Sequence, residues 1–182
     1  MSLKKTFQPL SSGKIYSTIL LAGVDEEQKN KLSQSISKIA PKEFGYSVHI
    51  RSTSLLPLVE NKRRPKIDFI LFVINSENLV SFNWVVETLP QIDLELLSTG
   101  NVCIWVDDHN TKNRAVSFEN ITEIATTYSI PIISCLSEED LENETIKVCK
   151  LIENSILFLG GGLLFKCLEF ETVPSTLALE NI

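Results

Sequence analysis

The sequence lacks the marks of several common functions. Its four cysteines, Cys103, Cys135, Cys149 and Cys167, include no C-x-x-C pair. Each stands in an apolar stretch where a free thiol behaves as a small hydrophobe, so the pattern offers no dithiol or zinc motif and fits a reduced, intracellular setting. There are only two histidines, His49 and His109, and neither has a nucleophile near it in sequence, so no local Cys-His or Ser-His arrangement is legible. Residues 1–14 lack the apolar run of a signal peptide, and no uninterrupted apolar stretch is long enough to cross a bilayer, which predicts a soluble chain with no membrane partner. Positive charge is also short. Seventeen Lys and Arg against 23 Asp and Glu leave a net charge of -6, so the surface as a whole repels phosphate backbones and direct, non-specific nucleic-acid binding is not expected. The sequons at Asn120 and Asn143 fall in expected helices of a chain without a secretory signal, which removes glycosylation as their meaning.

What is present is an ordinary globular composition, 43% hydrophobic and 22% charged over 182 residues, enough to bury one sizeable core. The expected organisation is an N-terminal arm over 1–14, a single domain over 15–170, and a polar, mobile tail over 171–182. Ile15 to Ala22 form a β-branched apolar run ending at Gly23, the pattern of a strand buried on both faces and expected at the centre of the sheet. Asp25 can cap the next helix, with Leu32, Ile36, Ile39 and Ala40 on one face and Pro41 as its stop. Tyr46, Val48 and Ile50 alternate with polar residues, as in a strand near a sheet edge. Residues 52–66, with Pro57, Pro65 and the basic run Lys62 to Lys66, read as an ordered loop. Ile67 to Ile74 is a second buried strand. Ser81 can cap a helix that Pro90 must kink or break before Leu97 and Gly100. Val102 to Val106 is a further strand, followed by the polar loop Asp107 to Asn113 and a helix near Ser117 carrying Phe118, Ile121, Ala125 and Tyr128 on one face. Ile130 to Leu136 is the last strand, and an acidic cap, Ser137 to Asp140, opens a long helix that Gly160 ends. Strands alternating with helices at this spacing predict an α/β domain of three layers, a mostly parallel sheet flanked by helices.

A strand-turn-helix opening invites comparison with G-x-x-x-x-G-K-[ST], whose backbone amides cradle phosphates while its Lys and hydroxyl serve phosphate and magnesium. Gly23 and Lys29 stand where the first Gly and the Lys belong, but Gln28 replaces the second Gly and Asn30 the hydroxyl residue. Asp25, Glu26 and Glu27 put carboxylates where a polyphosphate would sit, and like charges so apposed disfavour binding. Lys29 is therefore expected as an exposed helix residue beside its acidic neighbours. No D-x-x-G lies between the first two buried strands, where a GTPase senses the γ-phosphate. Asp107-Asp108-His109-Asn110 stands in place of a guanine-reading N-K-x-D loop without its Lys. The same residues are competent metal ligands, but adjacent positions in one loop rarely converge on an ion, so a solvated turn is expected. Neither a catalytic group, a cofactor nor a metal is expected.

The runs Ser17 to Gly23 (STILLAG), Arg63 to Asn75 (RRPKIDFILFVIN) and Gly100 to Val106 (GNVCIWV) resemble the centromere protein M family. The order of Val48 to Ile50, the pair Ser81 and Phe82, and Tyr128 to Cys135 (YSIPIISC) agrees with it. The resemblance implies a small-GTPase-like fold without a functional nucleotide site. It further implies a non-enzymatic subunit of the constitutive centromere-associated network at the kinetochore in the nucleus, with centromere protein I as the direct partner and centromere proteins H and K in the same complex.

A binding subunit needs apolar surface that the monomer leaves uncovered. Two stretches qualify, Leu94, Leu96 and Leu97 before Gly100, and Leu163, Leu164 and Phe165 after the triple glycine at 160–162. Packing under a helix end is the alternative for both. The basic run at Lys62 to Lys66 suits a nuclear import signal, a contact for an acidic partner or a solvated loop. An active GTPase with a degenerate phosphate loop and a pseudo-GTPase adaptor of another complex, such as one in membrane traffic, are the competing functions.

Overall fold

The computed structural model describes residues 16–55 and 66–159. Five strands, β1 (Tyr16–Ala22), β2 (Ser47–Thr53), β3 (Phe69–Asn75), β4 (Val102–Asp107) and β5 (Ile132–Cys135), alternate with helices α1 (Glu26–Ile39), α2 (Leu79–Thr88), α3 (Leu94–Ser98), α4 (Phe118–Tyr128) and α5 (Leu141–Leu159). The sheet has the order β2-β1-β3-β4-β5 and every pairing is parallel. It is an α/β fold of three layers, and the small-GTPase-like description is consistent with it. β1 is interior, as its apolar run requires, but β3 and not β1 is the middle strand. β2, with its exposed His49, Arg51 and Ser52, is one edge and β5 the other.

Successive side chains of a strand point to opposite faces, so each apolar strand feeds two cores. On one face Ile19, Leu21, Leu71, Val73, Cys103 and Trp105 meet α1 and α5 through Leu32, Ile36, Val148 and Ile152. On the other, Leu20, Phe72, Ile74, Ile104 and Val106 meet α2 and α4 through Phe82, Val85, Ile121 and Ala125. Phe118, expected on the apolar face of α4, sits instead at its first turn and is exposed. Ser35 Oγ donates to Thr145 Oγ1 (3.0 Å) where α1 crosses α5.

Several boundaries differ from the sequence reading for identifiable reasons. Pro41 ends the regular part of α1 but not the coil, which widens into a π-helical turn over Ala40–Phe44 and stops at Gly45. Gly45 has φ of 72°, the left-handed conformation that glycine adopts without a Cβ penalty. Asn78, not Ser81, caps α2, its side chain accepting from the Val80 amide at 3.0 Å. Ser81 is buried one turn in, where its hydroxyl accepts from the Asn75 amide (3.1 Å). Pro90 divides the segment in two: a 3₁₀ turn over Leu89–Gln91 separates α2 from α3, which Asp93 caps. β2 runs on to Thr53, into the stretch read as loop. The 1–14 arm, Pro57, the run Lys62 to Arg64 and everything from Gly160 onward lie outside the described residues.

One polar contact anchors the α5 face to the edge of the sheet. Tyr46 is buried and its hydroxyl donates to the Cys149 carbonyl at 2.8 Å, 103 residues away in sequence. Burial, reinforced by the Cys149 contact, pushes its phenol far above the ordinary range. Tyr46→Phe should lower unfolding stability by about 1 kcal/mol, the net worth of one such bond; urea titration at neutral pH measures it, and an unchanged midpoint would show that the bond contributes nothing.

Candidate functional site

The C-terminal ends of parallel strands are where open α/β sheets bind ligands, and here three connections meet there. The first joins β1 to α1. Gly23 packs so closely on β3 that a Cβ would lie 2.6 Å from the Val73 carbonyl oxygen, and its amide donates to the Thr53 carbonyl at 3.1 Å. Asp25 caps α1: Oδ1 accepts from the Gln28 amide (3.1 Å) and Oδ2 from Asn75 Nδ2 (3.0 Å). Both carboxylate oxygens are therefore engaged, one of them with a helix-terminal amide of the kind a phosphate would use.

Lys29 is not the exposed residue its neighbours suggested. It is 0% exposed, and its ammonium donates to Glu26 Oε1 at 2.7 Å and to the Thr53 carbonyl at 3.1 Å. The reason is helical register: Lys29 lies three residues before Leu32 and seven before Ile36, on the face that α1 buries. Its charge is met by the carboxylate one turn earlier, while the Glu26 side chain itself is 62% exposed. Thr53 O thus accepts from both Gly23 and Lys29 and ties the end of β2 to this turn. Gln28 is half-buried, and Asn30, standing for the motif's hydroxyl, faces solvent.

The second connection follows β4, and it is not a solvated turn. Asp107 is the last residue of the strand, and both it and Asp108 are buried. Asp108 is gripped by Arg114 through a forked pair, Nε to Oδ1 at 2.6 Å and Nη2 to Oδ2. Burial pushes its carboxyl up, but the forked bond from Arg114 prevails and holds it below the usual range. Asp107 goes the other way: burial pushes its carboxyl up, against the pull of His109. His109 Nδ1 lies 2.8 Å from Asp107 Oδ1, yet the contact lacks hydrogen-bond alignment and leaves that oxygen without a donor.

The third connection follows β5 and brings in a residue that sequence reading did not single out for the site. Cys135 Sγ lies 3.4 Å from His109 Nε2 and donates to the Ser137 carbonyl at 3.2 Å. A partnership across 26 positions leaves no local signal. Burial first, and Asp107 next, push this thiol up to about 11. It is fully buried and protonated at neutral pH, so the Asp107-His109-Cys135 row is not an activated nucleophile. Among the described residues no group of three His, Cys, Asp or Glu is placed to hold a metal ion, and no helix is long and apolar enough to cross a membrane.

At the opposite end of the sheet, Leu94 is 79% exposed, while Leu96 and Leu97 are half-buried against the α2–α4 core. Leu94 and Leu97 line an open groove of about 680 Å³ that continues over Gly100, Tyr128 and Ser129. Leu163, Leu164 and Phe165 lie outside the described residues.

The family model described as Centromere protein M matches residues 1–158. The chain belongs to the centromere protein M family. Centromere protein M of Xenopus laevis is 26% identical to it over 154 residues, 79% of this chain and 84% of the relative. That of Danio rerio is 29% identical, covering 80% and 76%, and that of Bos taurus 31% identical, covering 71% and 68%. The centromere protein M match includes all three connections and the Leu94 surface.

The buried Asp107 carboxyl has a consequence for stability. Its folded pKa is raised, so it favours folding below the ordinary carboxylate range and opposes it as pH rises through the folded value. Asp107→Asn should therefore raise the Tm at pH 7, with the gain shrinking toward zero as pH falls to the ordinary carboxylate range near ~4. Paired melting curves over that interval test it; a loss of Tm at pH 7 would show that the contact with His109 outweighs the burial cost.

Proposed function

We propose that this chain is a non-enzymatic binding subunit of the inner kinetochore, a pseudo-GTPase that neither binds nor hydrolyses GTP. In this reading it works in the nucleus at the centromere, within the constitutive centromere-associated network. One observation carries the loss of nucleotide: the Lys29 ammonium is buried and satisfied by Glu26 and Thr53. A γ-phosphate would have to displace a carboxylate at 2.7 Å and then lie beside Asp25, Glu26 and Glu27. Like charges in a partly dry site cost about 4 kcal/mol per pair at 4 Å and intermediate dielectric. Family membership supports the centromeric setting, since the relatives bear the name of a centromere protein.

The contacts that would make it a subunit are apolar. Leu94, with Leu96 and Leu97 behind it, offers uncovered leucine surface beside an open groove, and Leu163, Leu164 and Phe165 extend the proposal to the C-terminal segment. Centromere protein I is the proposed direct partner, with centromere proteins H and K in the same assembly.

Two experiments test the halves of this reading. Heat-denatured, freshly purified chain should release less than about one-tenth of a mole of guanine or adenine nucleotide per mole, because a tight site would retain close to one; near-stoichiometric release would contradict it. Leu94→Glu should abolish co-purification with centromere protein I and shift the subunit's own stability by no more than about 0.5 kcal/mol, as expected of an exposed position. Retained binding would remove Leu94 from the interface.

A further inference from the structure

The two helical layers differ in charge and in what they leave uncovered. On one side of the sheet, α1 carries Lys29, Lys31 and Lys38 and α5 carries Lys147 and Lys150, and the described part of neither helix exposes a large apolar side chain. On the other side, α2, α3 and α4 contain no lysine or arginine, only Glu87, Glu95, Glu119 and Glu123. These three helices also hold five of the eight large apolar residues that are exposed among the described residues, Leu79, Val80, Val86, Leu94 and Phe118. α2 is apolar on its outer as well as its inner face, the pattern of a helix covered on both sides.

The uncovered surface is most sharply drawn along α4. An open groove of about 490 Å³ follows its outer face from Phe118, 41% exposed, past Thr122 to Thr126. The Thr122 hydroxyl donates to the Phe118 carbonyl and the Thr127 hydroxyl to that of Glu123, both at 2.8 Å, so these groups are spent on the helix itself. Glu119 and Glu123 stand along the same groove one turn apart, exposed and without an ion-pair partner among the described residues. Like charges at i, i+4 oppose the helix that carries them, so the pair gives α4 nothing. Thr127 lines both this groove and the one beside Leu94, Glu95 and Leu97, and neither groove has a lysine, arginine or histidine in its lining. Lys66, which shares a further cavity with Glu95, is paired with Asp68 at 3.8 Å.

We infer that the outer face of α4 docks a basic, amphipathic helix of a protein partner. Its arginine or lysine side chains lay their stems over Phe118 and bring their charge to Glu119 and Glu123, while its apolar side chains fill the groove. Charge decides among the occupants: a second copy of this chain would bring the same carboxylates to the contact, and a nucleic acid or an anionic lipid surface is repelled. The inference goes beyond the leucine contact proposed above by naming the partner's charge and a second helix that receives it.

The test follows the backbone amide resonances of the full chain with three helical peptides of about four turns, alike in their leucine stripe and bearing arginine, glutamine or glutamate at the polar positions. The peptides contain no part of centromere protein I, so the result is independent of whether Leu94 binds that protein. The α4 amides should shift saturably with the arginine peptide, several-fold more weakly with the glutamine peptide and not with the glutamate peptide. Glu119→Gln combined with Glu123→Gln, both exposed, should weaken the arginine peptide about tenfold, the product of two partly exposed ion pairs at roughly threefold each, with the circular dichroism and Tm unchanged. Glu139→Gln combined with Glu142→Gln, an equally exposed acidic pair on the α1–α5 side, should leave its affinity as it was. Equal binding of the arginine and glutamate peptides, an equal loss with the Glu139 and Glu142 variant, or no saturable shift of α4 below about a millimolar would each overturn the inference. So would α4 amides that shift with the concentration of the chain alone, which would make a second copy the occupant.

Discussion

A buried ammonium group must be met by charge and by hydrogen-bond acceptors, and the way Lys29 is met organises the whole strand-end of this molecule. Its partners come from two places, the Glu26 carboxylate one helical turn earlier and the Thr53 carbonyl at the end of the edge strand. The same carbonyl accepts from Gly23, whose close approach to Val73 leaves no room for a Cβ. The β1–α1 turn, the start of α1 and the ends of β2 and β3 are therefore held by one small set of contacts. Within that set it is the chain's own Glu26 carboxylate that meets the ammonium.

The second constraint is the double burial of a parallel sheet. β3 and β4 have no polar residue before Asn75 and Asp107, because each must supply both the α1–α5 face and the α2–α4 face. Where these strands end, carboxylates and amides appear abruptly, Asp107 and Asp108 among them buried. Asp107 and Asp108, adjacent and both buried, are driven in opposite directions because only one has a guanidinium. A buried polar group that is only partly satisfied is costly, and Asp107 Oδ1 is one of these.

Much of the architecture was legible in the sequence, since apolar runs, alternation and a cap such as Asp25 depend on neighbours a few positions away. Boundaries set by competing local groups were less so: Asn78 outcompetes Ser81 as a cap, and the coil passes Pro41 by widening. In the site, the substitutions at Gln28 and Asn30 were plain, but the burial of Lys29 was missed. Its acidic neighbours drew attention away from the helical register that places it with Leu32 and Ile36. The meeting of His109 with Cys135 depends on β4 lying beside β5, and no pattern in either segment encodes it. Leu94, Leu96 and Leu97 were read together, as uncovered surface or as packing under a helix end, and the structure divides them: Leu94 is exposed, while Leu96 and Leu97 pack against the core.

The central claim, that an internal carboxylate has replaced the phosphate on Lys29, is tested most directly by melting the full chain in rising concentrations of magnesium and GTP. A site that binds the folded state raises stability by about 2.7 kcal/mol at a ligand concentration of 100 Kd, so even weak binding is visible at millimolar nucleotide. The account predicts no saturable rise in Tm. A rise that saturates, and that Lys29→Met abolishes, would contradict it.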